Sequence, residues 1–346
     1  MLSSKTVFIL GAGASYEVGF PLGSKLREII SHKLNYKCDS LGRLGQSGEM
    51  NIVGRLQNNY RTNWSEYVDV CRQISNGILL SDSIDDFIDK HRHDERVAIC
   101  GKLAIAFAIV EAENQSKLYV DTSNFYNTIQ FQNLGNNWYT KIYSLLTKGI
   151  PKSDLNNIFE NLTVINFNYD RSLEHFLVHA LSKDYMIERK ESAELVKKLL
   201  IFRPYGSIDS GVQFGDSRLP DLDNIINNLK TYTEKVEEGE ELNQVRNAIE
   251  ESDAIIFLGM AYHINNMTLL KCDCDMRKKT IYATRKGISD HDIPVVKRRI
   301  LSLSIHDTIG DIDSIMGWSD REVDNIFFSQ ECRDLFDDYR LSLSEL

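Results

Sequence analysis

A short apolar run that ends in two closely spaced glycines limits what the start of this chain can fold into. The stretch VFILGAGAS (residues 7–15) places four apolar residues before Gly11 and Gly13. Such a run, partly β-branched, is typical of a strand buried in a parallel sheet. Glycine lacks a Cβ, so a ligand can approach this turn closely, and a helix N-terminus beyond it favours phosphate. The stretch predicts a nucleotide site; the alternative is a tight turn that binds nothing.

Two common nucleotide-binding motifs are absent. The chain has no G-x-x-x-x-G-K-[ST], which excludes a P-loop. The dinucleotide fingerprint G-x-G-x-x-G is broken because Tyr16 stands at its third glycine. Asp39 is the nearest candidate for an acid that binds a ribose, and the surrounding KLNYKCDS (residues 33–40) makes a poor second strand. A plain hydride-transfer domain is therefore disfavoured.

Strand-like segments return in the second half of the chain and alternate with helical patterns. Residues 63–150 read mostly as helix, including GKLAIAFAIVEAENQSKLYV (residues 101–120), and the part after residue 290 is predicted to be mostly helical. Alternating strands and helices predict an α/β fold with a Rossmann-like parallel sheet, here with a large helical insertion at residues 33–155. Ligands of such sheets bind at the carboxyl ends of the strands. The predicted later strands lie within residues 162–170, 199–209, 252–266 and 278–290.

Length, composition and charge limit the kinds of protein to which this chain can belong. The chain has 346 residues, 42% of them hydrophobic, and a formal net charge of −10. The negative charge argues against a general nucleic-acid binder, and the basic clusters at residues 277–279 and 297–299 are typical of solvated faces. No run approaches the roughly 18 apolar residues of a membrane span, and the N-terminus lacks a signal-peptide layout. We therefore expect a cytoplasmic protein without membrane or nucleic-acid partners.

Potential metal ligands are present, but their number and spacing do not match a known metal-binding motif. The six cysteines are scattered, as expected of reduced thiols in a cytosol. Cys272 and Cys274 form a C-x-C, but no second pair completes a tetrahedral zinc site. His175 and His179 share one helix face, yet no H-E-x-x-H pattern or third ligand accompanies them, so ordinary helix histidines are favoured. The sequence therefore predicts no bound metal.

Several motifs at the predicted strand ends resemble one family. GAGAS, three residues and GFP (residues 11–21) resemble the sirtuin fingerprint GAG-x-S, three residues, GIP, and NFNYD (residues 166–170) resembles the sirtuin QNID element. Three further segments are similar to segments of bacterial sirtuin-like proteins, many of which serve in anti-phage defence. They are SIDDFI (83–88), IIFLGMAYHINN (255–266) and IYATRKGISDHDI (281–293). The resemblance runs from residue 5 to about residue 300 and is patterned rather than close.

The resemblance implies a single sirtuin-like domain over residues 1–346 that takes NAD+ as substrate or ligand. It implies NAD+ hydrolysis rather than protein deacylation, because the zinc module of the deacylases is absent. The residues predicted to be catalytic are Asn168, Tyr205 and Asp170. Asn168 and Asp170 would lie on the ribose side, where Asn168 would hold the ribose hydroxyls and position a water, and Asp170 would face the developing positive charge or orient a hydroxyl. Tyr205 stands where sirtuins place a catalytic histidine. The positions predicted to contact NAD+ are Gly11, Ala12, Gly13, Ala14, Ser15, Phe20, Pro21, Gly206, Gly259, His263 and Asn266.

Each of these roles has a plainer alternative. A tyrosine has a pKa of about 10 and is a weak base at neutral pH, so Tyr205 leaves three possibilities open: positioning and water suffice, another base serves, or the protein binds without turnover. Asp170 is equally suited to cap the helix that follows it, and Ser15 suits a cap or a phosphate contact better than a nucleophile. His263 lies in the pocket or on the surface, and Asp85 either braces the pocket or begins a solvated helix.

The sequence supports three functional hypotheses, of which the first two are favoured. The first is a cytoplasmic NAD+ glycohydrolase whose helical insertion covers the site or mediates assembly. The second is a catalytically inactive module that binds NAD+ or ADP-ribose and reports its occupancy. The third is a structural assembly subunit that binds no nucleotide. A homo-oligomer or a defence-system partner protein fits each of them, and the sequence does not separate NAD+ from NADP+.

Overall fold

Six parallel strands form one sheet in the order β3-β2-β1-β4-β5-β6. The computed structural model describes residues 2–37, 45, 47–124, 126–208, 213–216, 219, 221–231, 239–304 and 325–346. The strands are β1 (Thr6–Leu10), β2 (Leu162–Asn166), β3 (Leu200–Phe202), β4 (Ala254–Leu258), β5 (Thr280–Thr284) and β6 (Ile326–Ser329). This is the strand order of doubly wound dinucleotide-binding folds, so the predicted α/β class is confirmed.

Helices flank the sheet, and the largest group of them in the described part of the chain, seven helices, lies between β1 and β2. After β1 come α1 (Ala12–Tyr16) and α2 (Gly23–Lys33). Before β2 come α3 (Met50–Asn59), α4 (Trp64–Gly77), α5 (Ile84–Lys90), α6 (Glu95–Gln115) and α7 (Trp138–Thr147). Then follow α8 (Ser172–Asp184), α9 (Arg189–Val196), α10 (Leu222–Asn228), α11 (Glu240–Glu251), α12 (Ile264–Leu269), α13 (Ile293–Leu301), α14 (Cys332–Asp338) and α15 (Arg340–Leu343). None of the helices in the described ranges is long and apolar enough to cross a membrane.

The central strands end at one level. Leu10 is paired with Asn166 of β2 on one side and with Leu258 of β4 on the other. The chain leaves β1 towards β2 and later returns to pair β4 with the opposite edge of β1. This reversal is a topological switch point, where the loops after neighbouring strands diverge and open α/β sheets bind their ligands.

Helix α6 is the core of the helical region. Fifteen of its 21 residues are buried, as expected of a helix that is apolar on all sides. It packs against α2, α4 and α5, and also against α10, which lies between β3 and β4. Lys102 of α6 donates a hydrogen bond to the carbonyl oxygen of Ile226 in α10 at 2.9 Å. The helices before β2 are thereby joined to a segment that follows β3.

The helix predicted after the glycine turn is divided in two. Helix α1 has only five residues, and α2 begins at Gly23. Between them Gly19 has a φ of +104°, and Pro21 limits the backbone of the residue before it. Residues 33–37 form no strand, in agreement with the sequence, and Asp39 lies outside the described residues.

Two predicted element boundaries and one predicted element type are wrong. The strand predicted at residues 199–209 ends at Phe202, because a turn closes where the N–H of Gly206 donates to the carbonyl oxygen of Arg203 at 2.8 Å. Helix α6 stops at Gln115 rather than continuing to residue 120, since Ser116 has an extended backbone. Strand β6 falls in the part predicted to be mostly helical. A four-residue strand with three apolar residues shows no decisive periodicity, and β6 is fixed by pairing with the distant β5.

Candidate functional site

Gly11 and Gly13 bring the turn after β1 against the turn after β4. The N–H of Gly11 donates to the carbonyl oxygen of Leu258 at 2.9 Å, and that of Gly13 donates to the carbonyl oxygen of Gly259 at 3.0 Å. A Cβ on Gly13 would lie 2.7 Å from the Cα of Gly259, and one on Gly11 would lie 2.6 Å from its carbonyl oxygen. The paired glycines are therefore required by packing within the protein, and their N–H groups are already hydrogen-bonded.

A buried polar cluster lies beside this glycine contact. The side-chain amide of Asn168 donates to the carbonyl oxygen of Gly11 at 2.9 Å and to Ser15 Oγ at 3.2 Å. Ser15 Oγ in turn donates to Asp170 Oδ2 at 2.7 Å. Asn168 is 8% exposed, and its Oδ1 accepts no hydrogen bond from the residues that the structure describes. The structure thus joins four predicted site residues and leaves one oriented acceptor uncommitted.

Asp170 is fully engaged inside the protein. Its Oδ1 accepts from the backbone N–H of Ser172 at 3.0 Å and from the Ser172 hydroxyl. Because that hydroxyl donates to Asp170, the Tyr139 hydroxyl 2.7 Å away is the donor to Ser172. Burial, reinforced by the charge of Asp170, raises the pKa of Tyr139 and keeps it a donor. Asp170 lies one residue before Arg171, the N-cap of α8, so it is not the cap itself. Its carboxylate holds the N–H of Ser172, the first residue of α8, and it also anchors Ser15.

Arg203 is a site residue that the sequence analysis missed. Its guanidinium donates to the carbonyl oxygens of Asn168 at 3.1 Å and Asp170 at 2.9 Å, and it pairs with the carboxylate of Glu174. These contacts clamp the loop between β2 and α8. A signal for it exists in the sequence, since Arg203 is the first charged residue after the apolar strand in LLIFRPYG.

Tyr205 and Asn266 meet above the strand ends. The Tyr205 hydroxyl donates to Asn266 Oδ1 at 2.6 Å, and its ring packs against Phe167 with centroids 5.6 Å apart. Tyr205 follows β3, whereas Asn266 lies in α12 beyond β4, and β2 and β1 lie between these strands. Neighbouring strands are about 4.8 Å apart, so the segments that carry Tyr205 and Asn266 together reach across roughly 14 Å of the sheet edge, from β3 to β4. His263, the N-cap of α12, is exposed.

The remaining predicted contacts are held mainly by the protein itself. Gly206 has a φ of +69°, and a Cβ there would overlap the carbonyl oxygen of Asn228. The backbone N–H of Phe20 donates to the carbonyl oxygen of Ser15 at 3.2 Å, while its ring meets Phe214 edge-on. Ala14 is buried, and its carbonyl oxygen accepts from the indole of Trp138 at 2.7 Å. Ala12 is exposed and Pro21 is half-buried.

Asp85 braces the loop after β2. Its Oδ1 accepts a hydrogen bond from the Tyr169 hydroxyl at 3.0 Å, and the same hydroxyl lies 3.2 Å from the carbonyl oxygen of Lys230. Asp85 also lies in the first turn of α5, where it is partly buried. The helical region before β2 thereby contacts the loop that carries Asn168.

His175 and His179 are packed side chains of α8. His175 stacks on Phe214 with centroids 3.9 Å apart, and its Nε2 lies 3.0 Å from the carbonyl oxygen of Leu118. His179 Nδ1 lies 3.0 Å from Thr128 Oγ1. Burial lowers the pKa of His175 to about 3 and that of His179 to about 4. Both imidazoles are therefore neutral, hydrogen-bonded parts of the core.

A separate cavity of about 410 Å³ lies away from these residues. None of the predicted site residues lines it, and its charged side chains are largely paired with one another, as Lys33 is with Glu111. The cavity is lined by Lys25, Glu28, Ile29, His32, Lys33, Gly48, Glu49 and Glu111. The strand-end cluster remains the better candidate site because it combines the switch point with the uncommitted Asn168 oxygen.

Comparison of the chain with protein-family models and with curated proteins gave no match. The functional interpretation therefore depends on the geometry of this site and on the motifs at its strand ends.

Proposed function

We propose that this protein is an NAD+ glycohydrolase that cleaves the bond between nicotinamide and ribose. The observation that carries the proposal is the side chain of Asn168, fixed by Gly11 and Ser15 at the end of the central strands. Its Oδ1 is oriented before any ligand arrives and is uncommitted among the described residues. Such an acceptor suits a ribose hydroxyl or an attacking water, because little orientational freedom is then lost during reaction.

The departure of nicotinamide from NAD+ needs no acid catalyst. The pyridinium nitrogen of NAD+ carries a positive charge, so nicotinamide departs as a neutral molecule and needs no general acid. The ribose passes through an oxocarbenium-like transition state, as in other glycoside hydrolyses. Water adds to its anomeric carbon and loses a proton to solvent, which gives ADP-ribose, nicotinamide and H+. A carbonyl dipole at Asn168 would favour the developing positive charge.

Asp170 then acts as a positioning residue. Its carboxylate is 3% exposed and accepts hydrogen bonds from Ser15 and Ser172, so it orients Asn168 through Ser15 rather than touching the sugar. Arg203 supports the same loop through its two carbonyl contacts. The predicted direct role of Asp170 in the reaction is not part of this proposal.

A binding module without turnover is the second candidate. Tyr205 stands at the histidine position of the resembled family, and its hydroxyl is bound to Asn266. With Asp170 also engaged, neither side chain is poised to take a proton from the ribose. This arrangement favours a protein that holds NAD+ or ADP-ribose and signals its presence. A role in anti-phage defence, with a homo-oligomer or a partner protein, would suit either candidate.

The test measures nicotinamide release from NAD+ by the purified full-length chain, with NAD+ binding followed in parallel. Assays over a range of protein concentrations allow for assembly. Asn168→Ala should abolish release, whereas Asn59→Ala, an exposed asparagine at the end of α3, should leave it unchanged. Saturable binding without release at any concentration would replace the hydrolase by the binding module. Neither binding nor release would overturn both.

A further inference from the structure

Two thiols outside the candidate site are in direct contact. Cys272 and Cys274 lie in the connection between α12 and β5, and their Sγ atoms are 2.9 Å apart. The NAD+ chemistry proposed above uses neither of them. A chain bend at residues 273 and 274 brings both side chains to one side.

The backbone holds this contact in place. The N–H of Cys272 donates to the carbonyl oxygen of Leu303 at 2.8 Å, and the N–H of Asp273 donates to Glu250 Oε1 at 2.7 Å. Cys272 is fully buried, whereas Cys274 is only half-buried and reaches solvent. The Cys274 thiol is therefore accessible to a reagent, and the buried Cys272 thiol lies in contact with it.

We propose that Cys272 and Cys274 form a site of reversible disulfide formation whose oxidant is a low-molecular-weight disulfide. Closing a disulfide of about 2.05 Å requires the two sulfur atoms to approach by less than 1 Å. A structural zinc ion would need four ligands, and no group of three or more His, Cys, Asp or Glu side chains suited to a metal occurs in the described part of the chain. The third sulfur nearby, Met276 Sδ at 3.9 Å from Cys274 Sγ, takes no part in the reaction.

The reaction proceeds by two thiol–disulfide exchanges. The Cys274 thiolate attacks the reagent's S–S bond, forms a mixed disulfide and releases one thiolate. Cys272 then loses its proton to solvent and attacks the Cys274 sulfur, which breaks the mixed disulfide and releases the second thiolate. Two protein thiols are oxidised by two electrons, and one reagent disulfide is reduced to two thiols. Burial raises the pKa of the Cys272 thiol, which disfavours the loss of its proton in the second exchange.

The fold contains a second pair of neighbouring cysteines, which serves as a control for Cys272 and Cys274. Cys71 of α4 and Cys100 of α6 are both fully buried, and contact with Cys71 raises the pKa of Cys100, as does burial. Neither thiol of this second pair reaches solvent, so it lacks the exposed member that begins the exchange. It should remain reduced under conditions that oxidise Cys272 and Cys274.

The experiment treats the folded full-length chain with oxidised glutathione, blocks free thiols with iodoacetamide and maps the peptides by mass spectrometry. Most chains should carry a Cys272–Cys274 disulfide that dithiothreitol reverses, while Cys71 and Cys100 are alkylated after denaturation. Cys272→Ser should instead accumulate glutathione on Cys274, and Cys274→Ser should leave Cys272 unmodified. If Cys272 and Cys274 stay reduced, or if the mixed disulfide on Cys274 persists in the unmutated chain, the proposal is wrong. The mapping of the unmutated chain decides the question even where a variant does not fold.

Discussion

Tyr205 and Asn266 are joined by a 2.6 Å hydrogen bond that connects the loop after β3 to the helix after β4. The bond passes over the ends of β2 and β1, where Asn168 and the glycine turn lie. Two residues separated by 61 positions in sequence thereby join the segments that follow two non-adjacent strands.

Loss of this hydrogen bond should be measurable as a coupling between the two residues. Tyr205→Phe and Asn266→Ala should each lower the free energy of unfolding by about 1 kcal/mol, since a typical net hydrogen bond contributes that much. The double variant should be less destabilised than the sum by about the same amount. Urea unfolding of the four proteins measures this cycle. Tyr119→Phe, which alters a tyrosine that is 38% exposed, serves as the control, and strict additivity would show that the two side chains are not coupled.

The contact between Gly13 and Gly259 predicts a large effect of a single methyl group. Gly259 has a φ of +63°, and a Cβ there would lie 2.5 Å from the Cα of Gly13. Gly259→Ala should lower the free energy of unfolding by about 3 kcal/mol, because backbone strain and overpacking each cost about 1–3 kcal/mol. Chemical denaturation gives the value.

A matched substitution separates this effect from the general cost of replacing glycine. Gly54 lies inside α3, and a Cβ there meets nothing within 4 Å. Gly54→Ala should therefore raise the free energy of unfolding by about 0.5–1 kcal/mol. Equal effects at the two positions would contradict the packing role of Gly259.

The four motif-bearing strand ends could be predicted to share one edge. Once strands alternate with helices, parallel pairing and right-handed crossovers leave few arrangements, and GAGAS, NFNYD, RPYGS and FLGMAY all lie at or just after the carboxyl ends of strands of one sheet. The purpose of the glycines was not predictable in the same way. Gly13 packs against Gly259, 246 positions away, and only the folded chain reveals whether a ligand or the protein fills the space beside a glycine.

Arg203 and Tyr139 show why other site residues escaped the sequence analysis. Arg203 acts through backbone carbonyls of another loop, and Tyr139 reaches Asp170 indirectly, through the hydroxyl of Ser172. Neither residue type at those positions specifies such partners, because the partners come from different strands and helices. Strand β6 was missed for a related reason, since its identity depends on pairing with β5.

Removal of the Arg203 guanidinium should loosen one loop without unfolding the sheet. Arg203→Gln leaves the carbonyl oxygens of Asn168 and Asp170 without their donors. Each hydrogen bond to a charged group contributes about 1.5–3 kcal/mol, and about 1.4 kcal/mol is a factor of ten in an equilibrium. Amide hydrogen exchange at residues 167–172 should therefore become at least about tenfold faster.

Two further variants sharpen the test of Arg203. Arg203→Lys should give an intermediate result, because an ammonium cannot reproduce the planar set of donors. Arg92→Gln alters an exposed arginine and should leave exchange at the loop unchanged. Faster exchange spread over the whole sheet would mean that Arg203 supports global stability rather than this loop.

The buried histidines predict an acid-dependent loss of stability. Both titrate near pH 6.5 when unfolded, whereas burial lowers the folded pKa of His175 to about 3 and that of His179 to about 4. The unfolded chain therefore binds more protons below about pH 6.5, and the free energy of unfolding should fall by up to about 1.4 kcal/mol per pH unit for each histidine. The loss should continue until the folded pKa is passed. Urea unfolding at several pH values should show a shallower slope for His179→Gln than for the unmutated chain. An unchanged slope for His179→Gln would mean that His179 takes up its proton in the folded chain as readily as in the unfolded one.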